Sequence, residues 1–267
     1  MSTLLTAALL GVVEGLTEFL PVSSTGHLIM ASALLGYDAE VWATFNVVIQ
    51  LGAILAVIVL YWRTFWAVLS GMAQKNPVSW RFFRNVSVAF LPSAVIGLAL
   101  HSKIEAMLGE PKIVAVALVV GGIAILLIER LVKPGDTHGV ADIPLPRVIG
   151  VGLIQCLAMV PGVSRSGATI LGAISLGVER RTAAEFSFFL AIPTMLGATV
   201  LELVKNHEAL TTSVVGWDAI AVGFVVSFLV AIAVIKGFVT FVSRHGFGPF
   251  AWYRIIAGIA AFAWLSS

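Results

Sequence analysis

Three short stretches hold residues that an otherwise apolar chain has little structural reason to carry. Glu14 and Glu18 stand four apart, so a helix puts both carboxylates on one face, about one turn from each other. Ionised carboxylates inside an apolar segment cost about 2.5–3.5 kcal/mol each on membrane-insertion scales, and two together repel. The pair therefore predicts a water-filled site where the carboxylates bind a divalent cation, share a proton or do acid–base work. Ser23-Ser24-Thr25-Gly26-His27 follows Pro21-Val22 and precedes Leu28-Ile29-Met30. A hydroxyl here caps a new helix, whose N-terminal N–H groups and positive dipole end suit an anion. If residues 24–27 are helical, His27 lies one turn from Ser24 and could serve as its base. The third stretch, Pro161-Gly162-Val163-Ser164-Arg165-Ser166-Gly167, repeats the proline, hydroxyl and glycine pattern and adds a permanent cation. Arg165 requires an anionic partner: either Glu14 or Glu18, or a phosphate held by its planar fork. A carboxylate pair and an anion site conflict unless a divalent metal bridges them or one glutamate is protonated.

The elements that must position these groups follow from composition. Of 267 residues, 59% are apolar and 11% charged, and the mean hydropathy is +1.03. A soluble domain of this size carries about a quarter charged residues, so the chain is read as a membrane protein. Scattered glycine and proline without strand alternation favour helices over an outer-membrane barrel. The net charge of +2, with no basic run, gives no reason to expect nucleic acid. Cys156 is the only cysteine, which excludes an intrachain disulfide. No G-x-x-x-x-G-K motif marks an ATP motor.

Six apolar runs are long enough to cross the hydrocarbon layer: 41–62, 83–101, 113–131, 184–204, 218–236 and 249–265. Two further regions, 3–36 and 147–177, are broken at the polar stretches above and read as re-entrant hairpins. The fold expected is thus all-α: a single integral membrane domain of six transmembrane helices and two re-entrant helical hairpins. Its halves, about 1–133 and 142–267, resemble each other. Ser23-x-x-Gly26 aligns with Ser164-x-x-Gly167, Phe45 with Phe186, Ala89-Phe90-x-x-Ser93 with Gly223-Phe224-x-x-Ser227, and Gly122-Ile123-Ala124 with Gly258-Ile259-Ala260. With three crossings per half, the second copy enters upside down, which makes an inverted repeat.

Charge orients this arrangement. With the 63–84 loop cytoplasmic, that side receives Arg63, Lys75, Arg81, Arg84, Arg130, Lys133, Arg147, Arg180, Arg181, Lys236 and Arg244, and the outside only Lys103, Lys112 and Lys205. Both termini then lie outside, the first hairpin enters from outside and the second from the cytoplasm. Their breaks should meet near the midplane. Trp42, Trp62, Trp80, Trp217, Trp252 and Trp264 fall near span ends, where interfacial anchors belong. His101, His138, His207 and His245 read as solvated loop residues, Glu185 and Glu202 as snorkelling ones near the ends of one span, and Gly121-Gly122 as a helix contact point. The sequon Asn85-Val86-Ser87 has no meaning on the cytoplasmic side.

Glu14-Gly-Leu-Thr-Glu18-Phe-Leu-Pro-Val-Ser-Ser-Thr-Gly-His27 and Pro161-Gly-Val-Ser-Arg-Ser-Gly-Ala-Thr169 resemble the two signature segments of the bacterial undecaprenyl-diphosphate phosphatases of the bacitracin-resistance type. The resemblance covers essentially the whole chain. It implies a cytoplasmic-membrane hydrolase, open toward the periplasmic or outer face, that removes the terminal phosphate of a C55 lipid diphosphate. The product, undecaprenyl phosphate, returns as a carrier for peptidoglycan synthesis. Glu14, Glu18, Ser24, His27 and Arg165 take the catalytic roles by this match. Ser23, Thr25, Gly26, Ser164, Ser166 and Gly167 form the surrounding substrate-binding set, and Glu14 and Glu18 would hold Mg²⁺ or Ca²⁺. The partners implied are the polyprenyl diphosphate, the bilayer and a second copy of the chain in a homodimer. The competing reading is a secondary transporter or flippase of polyprenyl phosphate lipids, since inverted repeats with broken helices also mark transporters. Phosphate release in detergent separates the two.

Overall fold

The computed structural model describes residues 2–37, 42–108, 110–133, 135–205 and 215–266. Among them every regular element is a helix. These are α1 (Thr3–Thr17), α2 (Ser24–Leu35), α3 (Ala43–Leu60), α4 (Trp62–Ala73), α5 (Pro77–Ala99), α6 (His101–Leu108), α7 (Pro111–Leu131), α8 (Leu145–Gln155), α9 (Arg165–Ser175), α10 (Arg180–Lys205), α11 (Trp217–His245) and α12 (Gly248–Trp264). Local chemistry sets many of the ends. The Asn76 side chain accepts from Val78 N–H with Pro77 opening α5, Pro111 opens α7, and left-handed Gly36 closes α2.

Four helices are long and apolar enough to cross a membrane: Pro77–Ala99, Pro111–Leu131, Arg180–Leu201 and Trp217–His245. A fifth crossing follows if α3 and α4 count as one bent pair. The outer surface is apolar, with Val95, Leu98, Leu131, Val200, Leu229 and Ile256 all exposed, and such a surface belongs in lipid. The chain is a multi-pass membrane protein.

Several expectations need correction. Residues 63–73, read as loop, fall in α4, which turns 70° away from α3 after Leu60. Its exposed Trp62, Trp66 and Leu69 lie along an amphipathic helix, a pattern that suits the bilayer interface. The last apolar run yields only the 17 residues of α12, and the run at 218–236 extends to His245. Trp42 is not an interfacial anchor but is buried against Tyr37 and Phe45. Asn85 is fully buried, its amide donating to the Val140 and Ile143 carbonyls, so the sequon is a structural tether. His207 lies outside the described residues.

The helices pack through backbone close approach. α1 lies on α11, where a Cβ at Gly11 would stand 2.6 Å from the Gly223 carbonyl oxygen. α8 lies on α5, where a Cβ at Gly152 would stand 2.6 Å from the Ala89 oxygen. Between α7 and α12 the approach is reciprocal: Gly122 meets the Ala251 oxygen and Gly258 the Ala115 oxygen, each at 2.7 Å for an added Cβ. Small residues at helix crossings serve this purpose in membranes.

Candidate functional site

The two chain breaks fall where the sequence puts them, between α1 and α2 and before α9. Each ends on a serine in an unusual backbone conformation: Ser23 at φ 72° and Ser164 at φ 78°. A residue with a Cβ pays for positive φ, and sites that hold such strain are over-determined by their surroundings. Here each serine caps the following helix. Ser23 Oγ accepts from Gly26 N–H at 3.3 Å and Ser164 Oγ from Gly167 N–H at 3.1 Å. Gly26 and Gly167 thus contribute through their backbones. Ser164 Oγ also contacts Ser166 Oγ at 3.0 Å, and Ser166 Oγ donates to the Leu20 carbonyl at 2.7 Å, joining one break to the other.

Glu18 connects the charged groups. One carboxylate oxygen, Oε2, accepts from Ser24 Oγ; the other, Oε1, accepts from Arg165 Nη2 at 2.8 Å. Both ends of this ion pair are largely buried, at 12% and 6% side-chain exposure, so water screens it little. Arg165 Nη1 donates to Ser187 O at 2.9 Å and Ser187 Oγ at 3.2 Å, and Thr169 Oγ1 donates to Ser187 Oγ at 2.7 Å. Arg165 Nε has no partner among the described residues and remains a donor to offer. Glu14, beside Glu18, is fully buried, and apart from that neighbouring carboxyl neither of its oxygens has a hydrogen-bond partner among the described residues. An orphaned carboxylate next to a second one fits a bound cation or a shared proton. Among the described residues no three His, Cys, Asp or Glu converge, so a metal here would complete its shell from substrate oxygens or water.

His27 does not pair with Ser24. Its Nδ1 lies 2.7 Å from the Ser23 carbonyl oxygen, which can only accept, so Nδ1 carries a proton. In the neutral ring Nε2 then accepts from the Tyr253 hydroxyl at 2.7 Å. The side chain that faces the Ser24 hydroxyl is Glu18.

A cavity of about 480 Å³ opens in front of these groups. Glu18, Ser23, Ser24, Thr25, Ser164 and Arg165 line it, whereas Glu14, Gly26, His27, Ser166 and Gly167 are not part of its lining. The far side carries polar groups that sequence reading missed: Gln50, Ser93, Gln155 and Thr194, with Gln155 Nε2 donating to Ser93 Oγ at 2.7 Å. His101, read as a solvated loop residue, belongs to the same wall. The remaining lining is apolar, including Phe90, Leu98, Ile104, Leu108 and Leu201 of α5, α6 and α10.

A second omission is Arg254. It is 1% exposed on α12 and, among the described residues, donates only to backbone carbonyls: Pro21, Gly162 and Val163 at the two breaks, and Ala117 and Leu118 of α7. An arginine inside the apolar run 249–265 was itself the available signal, since intramembrane charges are functional by default.

The sequence around both breaks matches known proteins. A family model described as bacitracin resistance protein BacA matches residues 7–260. The chain belongs to the bacitracin resistance protein BacA family. A protein of Novosphingobium aromaticivorans named undecaprenyl-diphosphatase is 66% identical over 268 residues, covering 100% of this chain and 99% of its own. Like-named proteins of Rhizorhabdus wittichii and Sphingopyxis alaskensis are 61% and 55% identical, covering 98% and 100% of this chain and 98% and 99% of their own. The BacA match includes both breaks, all the cavity-lining residues and Arg254.

Proposed function

We propose that this BacA-family protein hydrolyses undecaprenyl diphosphate to undecaprenyl phosphate and inorganic phosphate. The reaction recycles the lipid carrier for peptidoglycan synthesis and thereby confers bacitracin resistance. The observation that carries the chemistry is the chain Ser24–Glu18–Arg165, which joins a hydroxyl, a carboxylate and a guanidinium from two hairpins at one cavity wall.

Phosphoryl transfer spreads charge over the transferred oxygens, so catalysis is mainly positioning and neutralisation. Arg165 and the capped N-termini of α2 and α9 hold the terminal phosphoryl group. Ser24 Oγ attacks its phosphorus, Glu18 takes the hydroxyl proton, and the bond to the bridging oxygen breaks to release undecaprenyl phosphate, which carries that proton away. Water then attacks the phosphoserine, Glu18 accepting its proton and returning it to Ser24 Oγ as the bond from that oxygen to phosphorus breaks and frees inorganic phosphate. Glu14, together with Glu18, would hold Mg²⁺ or Ca²⁺, which would supply countercharge to the diphosphate. His27 acts through Tyr253 and Ser23 rather than on Ser24. The apolar lining between α5, α6 and α10 receives the first prenyl units, because a C55 tail leaves lipid only at about 0.8 kcal/mol per CH₂.

The topology proposed has six crossings and two re-entrant hairpins, with halves of about 1–133 and 142–267 inverted in one domain. The matched positive-φ serines and the reciprocal α7–α12 contacts support this reading, because a two-fold axis makes contacts come in exchanged pairs. In this reading the protein resides in the bacterial inner membrane with its site open toward the periplasm, and the bias of basic residues toward one side supports that orientation.

The test is phosphate release by purified protein in detergent, with trapping of a phosphate on Ser24. Ser24→Ala should abolish turnover; a near-normal rate would eliminate the covalent step and leave direct attack by water. Lipid flipping in liposomes without phosphate release would favour the transporter.

A further inference from the structure

The site is assembled from two chain segments about 140 residues apart, so something must hold them in register. One direct tie is the Ser166 hydroxyl on the Leu20 carbonyl, and the Arg165–Glu18 pair is another. The third is Arg254. Its Nη1 donates to the Pro21 carbonyl of the first break and the Val163 carbonyl of the second, both at 3.0 Å. Nη2 reaches Gly162 at 2.9 Å and Ala117 at 3.0 Å, and Nε reaches Leu118 at 3.3 Å. Among the described residues, the carbonyls of Pro21, Gly162 and Val163 accept no backbone N–H, so they rely on this guanidinium. Arg254 has no carboxylate partner among the described residues, and its charge is matched by carbonyl dipoles alone.

Non-helical backbone at membrane depth needs donors from the protein, and an arginine offers five in a fixed plane. A single side chain serving both breaks does more than satisfy them: it fixes the distance between them. Gly121 makes room for the clamp, because a Cβ there would overlap the guanidinium.

We propose that Arg254 is a positioning residue for the reaction, clamping the two breaks so that Glu18 and Ser24 of one meet Arg165 of the other. It touches none of the reacting atoms. The inference rests on the phosphatase reading above for its kinetic consequence, though not for its structural one.

Two readouts test it on the full-length protein in detergent. In the kinetic arm, Arg254→Met should lower kcat about 100-fold, the cost of a misplacement near 1 Å. KM should stay within about threefold, since the lipid contacts on the apolar wall are untouched. Arg254→Lys, with three donors instead of five, should recover part of kcat. In the second arm, amide hydrogen exchange should rise in residues 20–26 and 161–167 together, with α5 and α10 unchanged. Where Arg254→Met does not fold, Gly121→Ala displaces the guanidinium without removing it and should lower kcat in the same way. The proposal is overturned if kcat of folded Arg254→Met or Gly121→Ala stays within threefold of wild type, or if exchange rises evenly through all helices. A wild-type protein that releases no phosphate would refute the phosphatase reading, and the exchange arm would still decide the clamp.

Discussion

Replacing Glu18 by glutamine separates the base from the shape of the site. In the wild type one carboxylate oxygen accepts from Ser24 and the other from Arg165. An amide has a single acceptor oxygen, so its NH₂ end must face either the Ser24 hydroxyl or the Arg165 N–H. Facing Ser24, the NH₂ donates to Oγ, so that contact is kept with its direction reversed, and loss of the carboxylate's charge weakens the bonds it made by about 1–1.5 kcal/mol. The kinetic loss is larger. A positioned general base contributes about 10²–10⁴-fold, or about 3–5.5 kcal/mol of barrier. Glu18→Gln should therefore lower kcat for phosphate release at least 100-fold while the protein still elutes as a folded species. His27→Gln should cost under tenfold, because His27 meets Tyr253 and Ser23 instead of Ser24. The assay is inorganic phosphate released from undecaprenyl diphosphate in detergent under saturating substrate. Should the order be reversed, with His27→Gln the more damaging, the assignment of Glu18 as base is wrong.

Other consequences are open to measurement. Glu14→Gln should abolish any activation by added Mg²⁺ or Ca²⁺, and titrating the cation into chelator-treated wild type and variant checks this; equal activation would remove Glu14 from the cation site. Asn85→Ala strands two buried carbonyls, at about 1–3 kcal/mol each, and should lower the thermal midpoint by several degrees. Gly258→Leu should prevent close approach of α12 to the Ala115 carbonyl and cost about 1–3 kcal/mol, read in the same melt. Burial pulls the Glu179 carboxyl upward, but the N–H groups of Arg181 and Thr182, the Thr182 hydroxyl and His138 outweigh it and hold it below the usual range. Its stabilisation is therefore full above the unfolded carboxyl value and lost as pH falls through the depressed one. Glu179→Ala should cost about 1 kcal/mol at neutral pH, and the gap to wild type should close below about pH 4.

Much of the site could be read in advance because apolar sequence makes polar breaks conspicuous. Pro21 to His27 and Pro161 to Gly167 stood out against long runs of Leu, Val, Ile and Ala, and both breaks sit where spacing put them. The pairing inside the site could not be read the same way. Helical spacing placed His27 one turn from Ser24, yet the partner of His27 is Tyr253, 226 positions along the chain. Gln50, Ser93 and Gln155 were hidden for a related reason, since single polar residues in apolar helices give no sign of facing one cavity. Arg254 was legible as a charge inside a span, but its carbonyl partners depend on the packing of α7, α12 and both breaks. The α4 helix escaped because its tryptophans and arginine break the apolar run at the point where the chain turns.

The α7–α12 crossing puts a hereditary constraint on the chain. Gly122 accommodates Ala251 while Gly258 accommodates Ala115, so each segment supplies both the recess and the ridge that fills its counterpart. A bulkier residue on either side widens the spacing for both contacts at once. Two segments tied in this manner cannot drift apart residue by residue. A tolerated change at 122 is expected to bring a matched change at 251, and the same coupling links 258 to 115. Sequence libraries selected for growth under bacitracin should recover these four positions as correlated pairs.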